Sequence, residues 1–491
     1  ICFMVRERFA PSPTGPIHIG AVRTALYNYL YKLKKKGAFI LRIEDTDNSR
    51  KVDGAENYIY DVLDYYKIKA DEGPREGGGY GPYRQSERKD IYTKHVNPLI
   101  NKGLAYYCYT SKEELARERE NTGFSYNAST RLTFKNSLTL KKEESLALMK
   151  KKKYVVRLKV ESNVELEMTD LLRGKIKVNS NSLEDKILIK EDGVPTYHFA
   201  NVIDDYLMKI TTIIRGEEWL PSLPIHKLIY DAFGWKMPDT VHLPLILNPS
   251  GNGKLSKRDA IKNNYSIFPI KWGKLDGLRE KGLLAMVQLA YISQLGSSFN
   301  NDEIELDVNK MSEKFSLSTL QKGGARFDFD KAKSINQKEL SKIDSSLLIS
   351  KYPKVFKKLK DCLGDRGLKV VDLIKTRASL LTDLQKELSP FVEDPIEFDM
   401  GAVKRILSLI NAEHLNIIEK NIRLSETSHI KENIYKESKE KNVNFGKLMQ
   451  FLRISLVGSL NGPDVFFIIE IIGKNVTLRR FNSLLNKTKK Q

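Results

Sequence analysis

Cysteine is scarce. The 491 residues hold three, Cys2, Cys108 and Cys362, far apart in the chain. That excludes a disulfide framework and fits a reducing compartment. Long apolar runs are missing too. None approaches the ~18 residues of a membrane-spanning helix, so no membrane contact is expected. The opening residues Ile1-Cys2-Phe3-Met4 lack the charged, apolar and small-residue regions of a secretory signal. Together these absences give the expectation of a cytoplasmic chain. Acidic residues are in the minority: 62 Asp and Glu stand against 82 Lys and Arg, for a formal net charge of +20. The surplus suits a polyanionic partner, although a generically lysine-rich surface gives the same number. Hydrophobic content of 41% and charged content of 29% suit a globular protein. The length calls for more than one core, and three or so domains is a fair expectation.

What is present is organised around one stretch, Arg8-Phe-Ala-Pro-Ser-Pro-Thr-Gly-Pro-Ile-His-Ile-Gly-Ala21. A strand pattern over 5–10 leads in, and apolar residues at helical spacing follow over 21–35. Strand, tight turn and helix bring backbone N–H groups to a helix N-terminus, where a phosphate binds. Pro11, Pro13 and Pro16 stiffen the turn. Gly15 and Gly20 allow close backbone approach. His18 both donates and accepts near neutral pH. Taken alone, such a loop is better explained by an ordinary turn with a surface histidine.

Further along, Gly37 is expected to close the first helix. A second strand over 39–43 runs into Glu44-Asp45-Thr46-Asp47, placing carboxylates where open α/β sheets bind ligands. From 110 to 195 the composition shifts to a charged helix, a Ser/Thr/Asn stretch and short strands. This reads as an α+β insertion that splits the first domain. The segment 195–205 returns to the sheet pattern, and 210–215 is a β-branched strand ending in Arg215. A Gly/Lys loop follows at 249–259, with Lys254, Lys257 and Arg258 suited to clamping phosphate charge. Beyond 261 the chain is mostly helical. Ile374, Leu381, Leu384 and Leu388 form one apolar stripe, and Val403, Ile406, Leu407 and Ile410 another. A helix over 463–472 is expected to end at Gly473.

The pairing of Pro-x-Pro-Thr-Gly-x-x-His-x-Gly with Lys-Leu-Ser-Lys-Arg resembles the two signatures of class I aminoacyl-tRNA synthetases. The stretches Arg42-Ile-Glu-Asp-Thr-Asp47, Tyr83-Arg-Gln-Ser-Glu-Arg88, Pro195-Thr-Tyr-His-Phe-Ala-Asn-Val-Ile-Asp-Asp205 and Ile214-Arg-Gly-Glu-Glu-Trp219 are similar, in order, to the bacterial glutamyl-tRNA synthetases. The likeness spans essentially the whole chain. It implies a Rossmann-like α/β catalytic domain with a parallel sheet, split by an α+β insertion, and a mostly α-helical C-terminal half. The implied segments are 1–109 and 196–250 for the two catalytic halves, 110–195 for an inserted acceptor-end-binding domain, 251–340 for the signature loop and a helical stem-contact domain, and 341–491 for a helical anticodon-binding domain.

The resemblance also implies roles. Glutamate would be held by Arg8, Ala10, Ser12, Glu44, Tyr197, Asn201 and Arg215. The chemistry agrees, since carboxylates match the guanidinium fork and the α-amine needs an anion. ATP, arriving with its Mg2+, would lie against His18, Gly20 and Trp219, with Lys254 and Lys257 on its phosphates. His18, Lys254 and Lys257 would be the catalytic residues. The expected partners are L-glutamate, ATP and tRNA-Glu, with or without tRNA-Gln, which some members also charge. A monomer is expected. Ala21 stands where other branches carry a second histidine, as is usual in the glutamate branch. Leu255 and Arg258 also replace residues common elsewhere. Some relatives hold zinc in the insertion on several Cys and a His. Here only Cys108 falls in that region, so no zinc is expected.

A glutaminyl-tRNA synthetase would end in a β-barrel-like part, against the helical pattern of 345–491. A truncated tRNA-modifying relative would lack that part. A small-molecule nucleotidylyltransferase would be far shorter, and a non-catalytic tRNA-binding paralogue would have lost His18 or Lys257.

Overall fold

The computed structural model describes residues 4–120, 123–151, 153–249, 253–255, 257–262, 266–301 and 303–489. The chain forms two compact units. One comprises Ile1–Leu278 with Gln288–Asp328, the other Arg279–Val287 with Phe329–Gln491.

The first unit is built on a parallel sheet. Strand β1 (Arg6–Phe9) pairs in parallel with β2 (Ala38–Leu41). On its other side, the Arg6 carbonyl accepts from Thr211 N–H at 3.0 Å, which brings β1 beside β8 (Thr212–Gly216). Strand β8 runs parallel to β9 (Asp239–Leu243). All four residues of β1 and of β2 are buried, as expected of strands covered on both faces. Between β1 and β2 lies helix α1 (Ile19–Lys35), whose Ile19, Val22, Leu26 and Leu30 are buried. The left-handed C-terminal residue of α1 is Lys36, with φ 52°, and not Gly37. Gly37 serves close packing instead, since a Cβ there would lie 2.1 Å from the Val5 carbonyl oxygen.

After α2 (Ala55–Tyr65) and α3 (Lys89–Asn101), β3 (Ala105–Cys108), which precedes the expected start of the insertion at 110, joins the insertion's β4 (Val155–Leu158) and β7 (Ile187–Ile189) in an antiparallel sheet of order β3-β4-β7. Its hairpin of β5 (Glu165–Asp170) and β6 (Gly174–Asn179) reaches the main sheet, where Asp170 pairs in parallel with Thr240 of β9. Charged helices Lys112–Arg119 (α4) and Lys142–Lys150 (α5) complete it.

The segment expected to resume the sheet at 195–205 is helical instead, as α6 (Tyr197–Leu207). Its buried Phe199, Val202 and Ile203 follow the three-to-four-residue helical period, which outweighs the β-branched content. Helix α6 carries Tyr197, Asn201 and Asp205 four residues apart, hence on one face. Helix α7 (Leu223–Phe233) follows β8. A short β10 (Ile246–Leu247) and α8 (Lys257–Lys262) flank the Gly/Lys loop.

The second unit is helical. Buried Val370, Ile374, Leu384, Leu388, Ile417, Phe451 and Ile468 come from helices Arg366–Arg377, Leu381–Val392, Ala412–Leu424, Phe445–Val457 and Val465–Lys489. The last is interrupted at Gly473, with φ 80° and ψ 165°. Among the described residues, no helix is long and apolar enough to cross a membrane.

Candidate active site

Residues just beyond the C-terminal ends of β1, β2 and β8 enclose a cavity of about 520 Å³. This is where ligands bind in open parallel sheets. Arg8, Ala10, Ser12, His18, Gly20, Glu44, Tyr197, Asn201, Arg215, Trp219 and Lys254 all line it, although they come from segments up to 246 residues apart. The Lys257 side chain, Ser256 and residues 250–252 lie outside the described residues.

His18 is the N-cap of α1. Its backbone is extended, with φ −107° and ψ 173°, and its Nδ1 accepts from Gly20 N–H at 3.0 Å. Accepting at Nδ1 puts the proton of the neutral ring on Nε2. The first turn of α1 carries no acidic side chain, so the positive end of the helix dipole stays unmasked for an anion.

Behind the cavity three guanidinium groups meet three carboxylates. Arg8 Nε donates to Asp205 Oδ1 at 3.2 Å, and Arg42 Nη1 donates to the same oxygen at 2.6 Å. Arg42 Nη2 reaches Glu44 Oε1 at 3.0 Å, where Asn201 Nδ2 also donates at 3.0 Å. Arg88 Nε bonds Asp204 Oδ1 at 2.7 Å, and Tyr92 and Gln85 donate to the other Asp204 oxygen. Burial alone would lift the Asp205 carboxyl, but Arg42 and Arg8 hold it below the usual carboxylate range. Burial raises Glu44 above that range, against the pull of Arg42. Arg8 reaches Asp205 through its Nε and Nη2, and its side chain also lines the cavity. The cluster therefore balances its own charge while presenting Arg8 and the Glu44 carboxylate to the cavity.

Arg215 is different: among the described residues no carboxylate pairs with it. Its Nε donates to His242 Nε2 at 3.0 Å, its Nη1 to Tyr197 OH at 3.1 Å, and its Nη2 to the Trp219 carbonyl at 3.4 Å. The Tyr197 and Trp219 rings lie 4.3 Å apart at 33°, with Trp219 40% exposed. This leaves a full positive charge facing the cavity beside an aromatic wall, an arrangement that binds a carboxylate.

Across the cavity, Lys254 bridges Leu247 in antiparallel fashion and its Nζ lies 3.5 Å from Glu218 Oε1. Asp47, a candidate for ligand work by its place after β2, caps a short 3-10 turn instead and pairs with Arg50 at 2.6 Å. In the insertion, Cys108 is buried and its Sγ lies 3.4 Å from Tyr126 OH. No group of three or more His, Cys, Asp or Glu among the described residues could hold a metal ion.

Sequence reasoning missed Arg42, Asp204, Asp205 and His242 as part of this architecture. A signal existed in each case: a charged or polar residue set within an apolar run, Leu41-Arg-Ile43, Val202-Ile-Asp-Asp205 and Val241-His-Leu243. Buried charges of this kind are paired.

Two family descriptions match the chain. "tRNA synthetases class I (E and Q), catalytic domain" covers residues 4–334, and "Anticodon binding domain" covers 348–485. The chain therefore belongs to the class I tRNA synthetases of the glutamate and glutamine type. Among curated relatives, the glutamate–tRNA ligase of Christiangramia forsetii is 42% identical over 99% of each chain. That of Amoebophilus asiaticus is 42% identical over 98% of each. The crystal structure of a glutamate tRNA ligase from Elizabethkingia meningosepticum, in complex with its amino acid, superposes with a TM-score of 0.90 at 41% identity, covering 98% of this chain and 99% of that one. Within the class, the chain is an enzyme of the glutamate–tRNA ligase family.

Proposed function

We propose that this enzyme attaches L-glutamate to the 3′ end of tRNA-Glu at the expense of ATP. The α-carboxylate of glutamate attacks the α-phosphorus of Mg-ATP, the bond to the β-phosphate breaks, and pyrophosphate leaves. The terminal adenosine hydroxyl of the tRNA then attacks the carbonyl of the mixed anhydride, and AMP departs. Arg8, Ala10, Ser12, Glu44, Tyr197, Asn201 and Arg215 hold the amino acid, with Glu44 facing its ammonium and Arg215 a carboxylate. His18 Nε2, Gly20 and Trp219 receive ATP, and Lys254 and Lys257 neutralise charge that develops on its phosphates. The reaction needs no nucleophilic side chain, because catalysis here is positioning and charge stabilisation. In the remainder of the reading, segments 110–195 and 251–340 meet the acceptor end and stem, 341–491 meets the anticodon, and the enzyme acts as a cytoplasmic monomer.

The observation that carries the reading is an unneutralised Arg215 and a helix N-terminus capped by His18 lining one cavity. ATP–pyrophosphate exchange with glutamate, run with and without tRNA-Glu, tests it. Exchange specific to glutamate is expected, and its absence under both conditions overturns the reading. Charging assays on purified tRNA-Glu and tRNA-Gln determine whether the acceptor set includes both.

A further inference from the structure

The Arg215 guanidinium is held from behind by a chain that crosses into the insertion. Asp170, the last residue of β5, is saturated: Oδ1 accepts from the backbone N–H of Leu172 at 3.0 Å and of Arg173 at 2.9 Å. Oδ2 accepts from the His242 backbone at 3.0 Å and lies 2.7 Å from His242 Nδ1. A carboxylate so pinned keeps the proton of the neutral imidazole on Nδ1 and leaves the Nε2 lone pair for Arg215 Nε–H, at 3.0 Å. His242 is fully buried. Burial pulls its pKa below the ordinary value, against the hydrogen bond from Asp170, and Arg215 adds to the lowering. A second neutral ring supports the far side, with His226 Nδ1 3.4 Å from Arg215 Nη1 and its Nε2 3.3 Å from His198 Nδ1.

We propose that His242, fixed by Asp170, is a positioning residue that anchors Arg215 by its Nε edge through a neutral acceptor and so sets the enzyme's affinity for its amino-acid carboxylate. The inference rests on the reading above, in which Arg215 receives a carboxylate. Two features make the anchor effective. A carboxylate in place of the imidazole would cancel the charge that the ligand needs, whereas a neutral nitrogen leaves it intact. The Nε bond to His242 at 3.0 Å is joined on the Nη edge by one to Tyr197 OH at 3.1 Å, whereas the contacts of that edge to His226 and Trp219 are as long as 3.4 Å. An arriving carboxylate can displace those long contacts while the Nε anchor holds the fork in place. A β5–β9 cross-link of merely structural value would contribute to folding and leave substrate affinities in their original ratio.

His242→Asn and His242→Gln separate these roles. The Asn amide occupies the Nδ1 position and keeps Asp170 company, but is too short to reach Arg215. The Gln amide extends to the Nε2 position and can present its oxygen to Arg215. Both are measured in the full-length enzyme with tRNA-Glu present, for glutamate KM, ATP KM, kcat and Tm. His242→Asn is expected to raise glutamate KM on the order of 10- to 100-fold, the loss of one hydrogen bond to a charged group, with ATP KM within about 3-fold of the parent. His242→Gln is expected to recover most of that loss even where its Tm is no higher than that of His242→Asn. Equal glutamate KM values for the two variants, or a parallel loss for glutamate and ATP, overturn the inference. Arg215→Lys is the control on the underlying reading. If it leaves glutamate KM unchanged, Arg215 is not the carboxylate receptor and the reading itself fails. If it raises glutamate KM while the two His242 variants match each other, only the positioning role fails.

Discussion

The backbone N–H of Gly20 donates to Nδ1 of His18 at 3.0 Å, and a Cβ at position 20 would lie 2.7 Å from Cε1 of that ring. Gly20 is therefore shaped by the imidazole and not by the helix it begins. Gly20 is the second residue of α1, and alanine has a higher helix propensity than glycine. Gly20→Ala is expected to swing His18 off the helix N-terminus and lower kcat for ATP–pyrophosphate exchange by on the order of 10²-fold, the scale of one lost donor to developing charge. Its Tm should fall little or rise. Retained activity would show that the ring is not held by this contact.

Much of this candidate site is legible in the sequence alone. The Pro/Gly turn, the carboxylates after β2 and Arg215 at the end of β8 each carry a local signal, and all of them line one cavity. What was not legible is the scaffolding between them. Arg42 and Asp205 meet at 2.6 Å across 163 residues of sequence, and Asp170 reaches His242 across 72. No local pattern encodes such partners; only the burial of the sheet and α6 brings them together. The misreading of 195–205 as sheet has the same origin. Its pattern serves a helix that must bury Phe199 and Val202 while turning Tyr197 and Asn201 to the cavity, so polar and apolar signals are interleaved.

The three-and-three cluster predicts where stability is sensitive. Arg42 is fully buried and pairs with Asp205 and Glu44. Arg42→Met would strand both carboxylates in a dry setting, with only Arg8 and Asn201 in compensation. Urea denaturation should report a loss of about 3–5 kcal/mol. Arg84 pairs with Glu56 at 2.8 Å, but its side chain is 32% exposed. Arg84→Met should cost less than ~1 kcal/mol. Similar losses for the two would show that the buried cluster is not a linked unit.

The two lysines of the Gly/Lys loop should separate stability from rate. Among the described residues Lys254 pairs with Glu218 at 3.5 Å, both side chains being about half exposed, so Lys254→Ala should leave Tm nearly unchanged. If both lysines neutralise phosphate charge in the transition state, Lys254→Ala and Lys257→Ala each lower kcat more than they raise the KM for glutamate. Lys257→Ala is expected to lose on the order of 10²-fold. A normal kcat in the Lys257 variant would remove that residue from the mechanism.

The histidines behind Arg215 predict an acid-sensitive fold. Burial, with Lys186 and Arg215 nearby, takes His198 down to about 4, and burial and Arg215 take His226 well below its ordinary value. The unfolded chain titrates them near ~6.5. Between those values the unfolded state binds more protons, so the contribution of His198 is fully present above about pH 6.5 and is lost as pH falls toward 4, and His226 acts in the same sense. One such group supplies a slope of at most ~1.4 kcal/mol per pH unit. The raised carboxyls of Glu7 and Glu44, each lifted first by burial, act in the opposite sense just above their unfolded values, so the net curve alone does not isolate the histidines. Comparing the parent with His198→Gln does. Urea unfolding from pH 7 to 4.5 should show a shallower pH dependence in the variant, while superimposable slopes would mean that His198 is not held neutral behind Arg215.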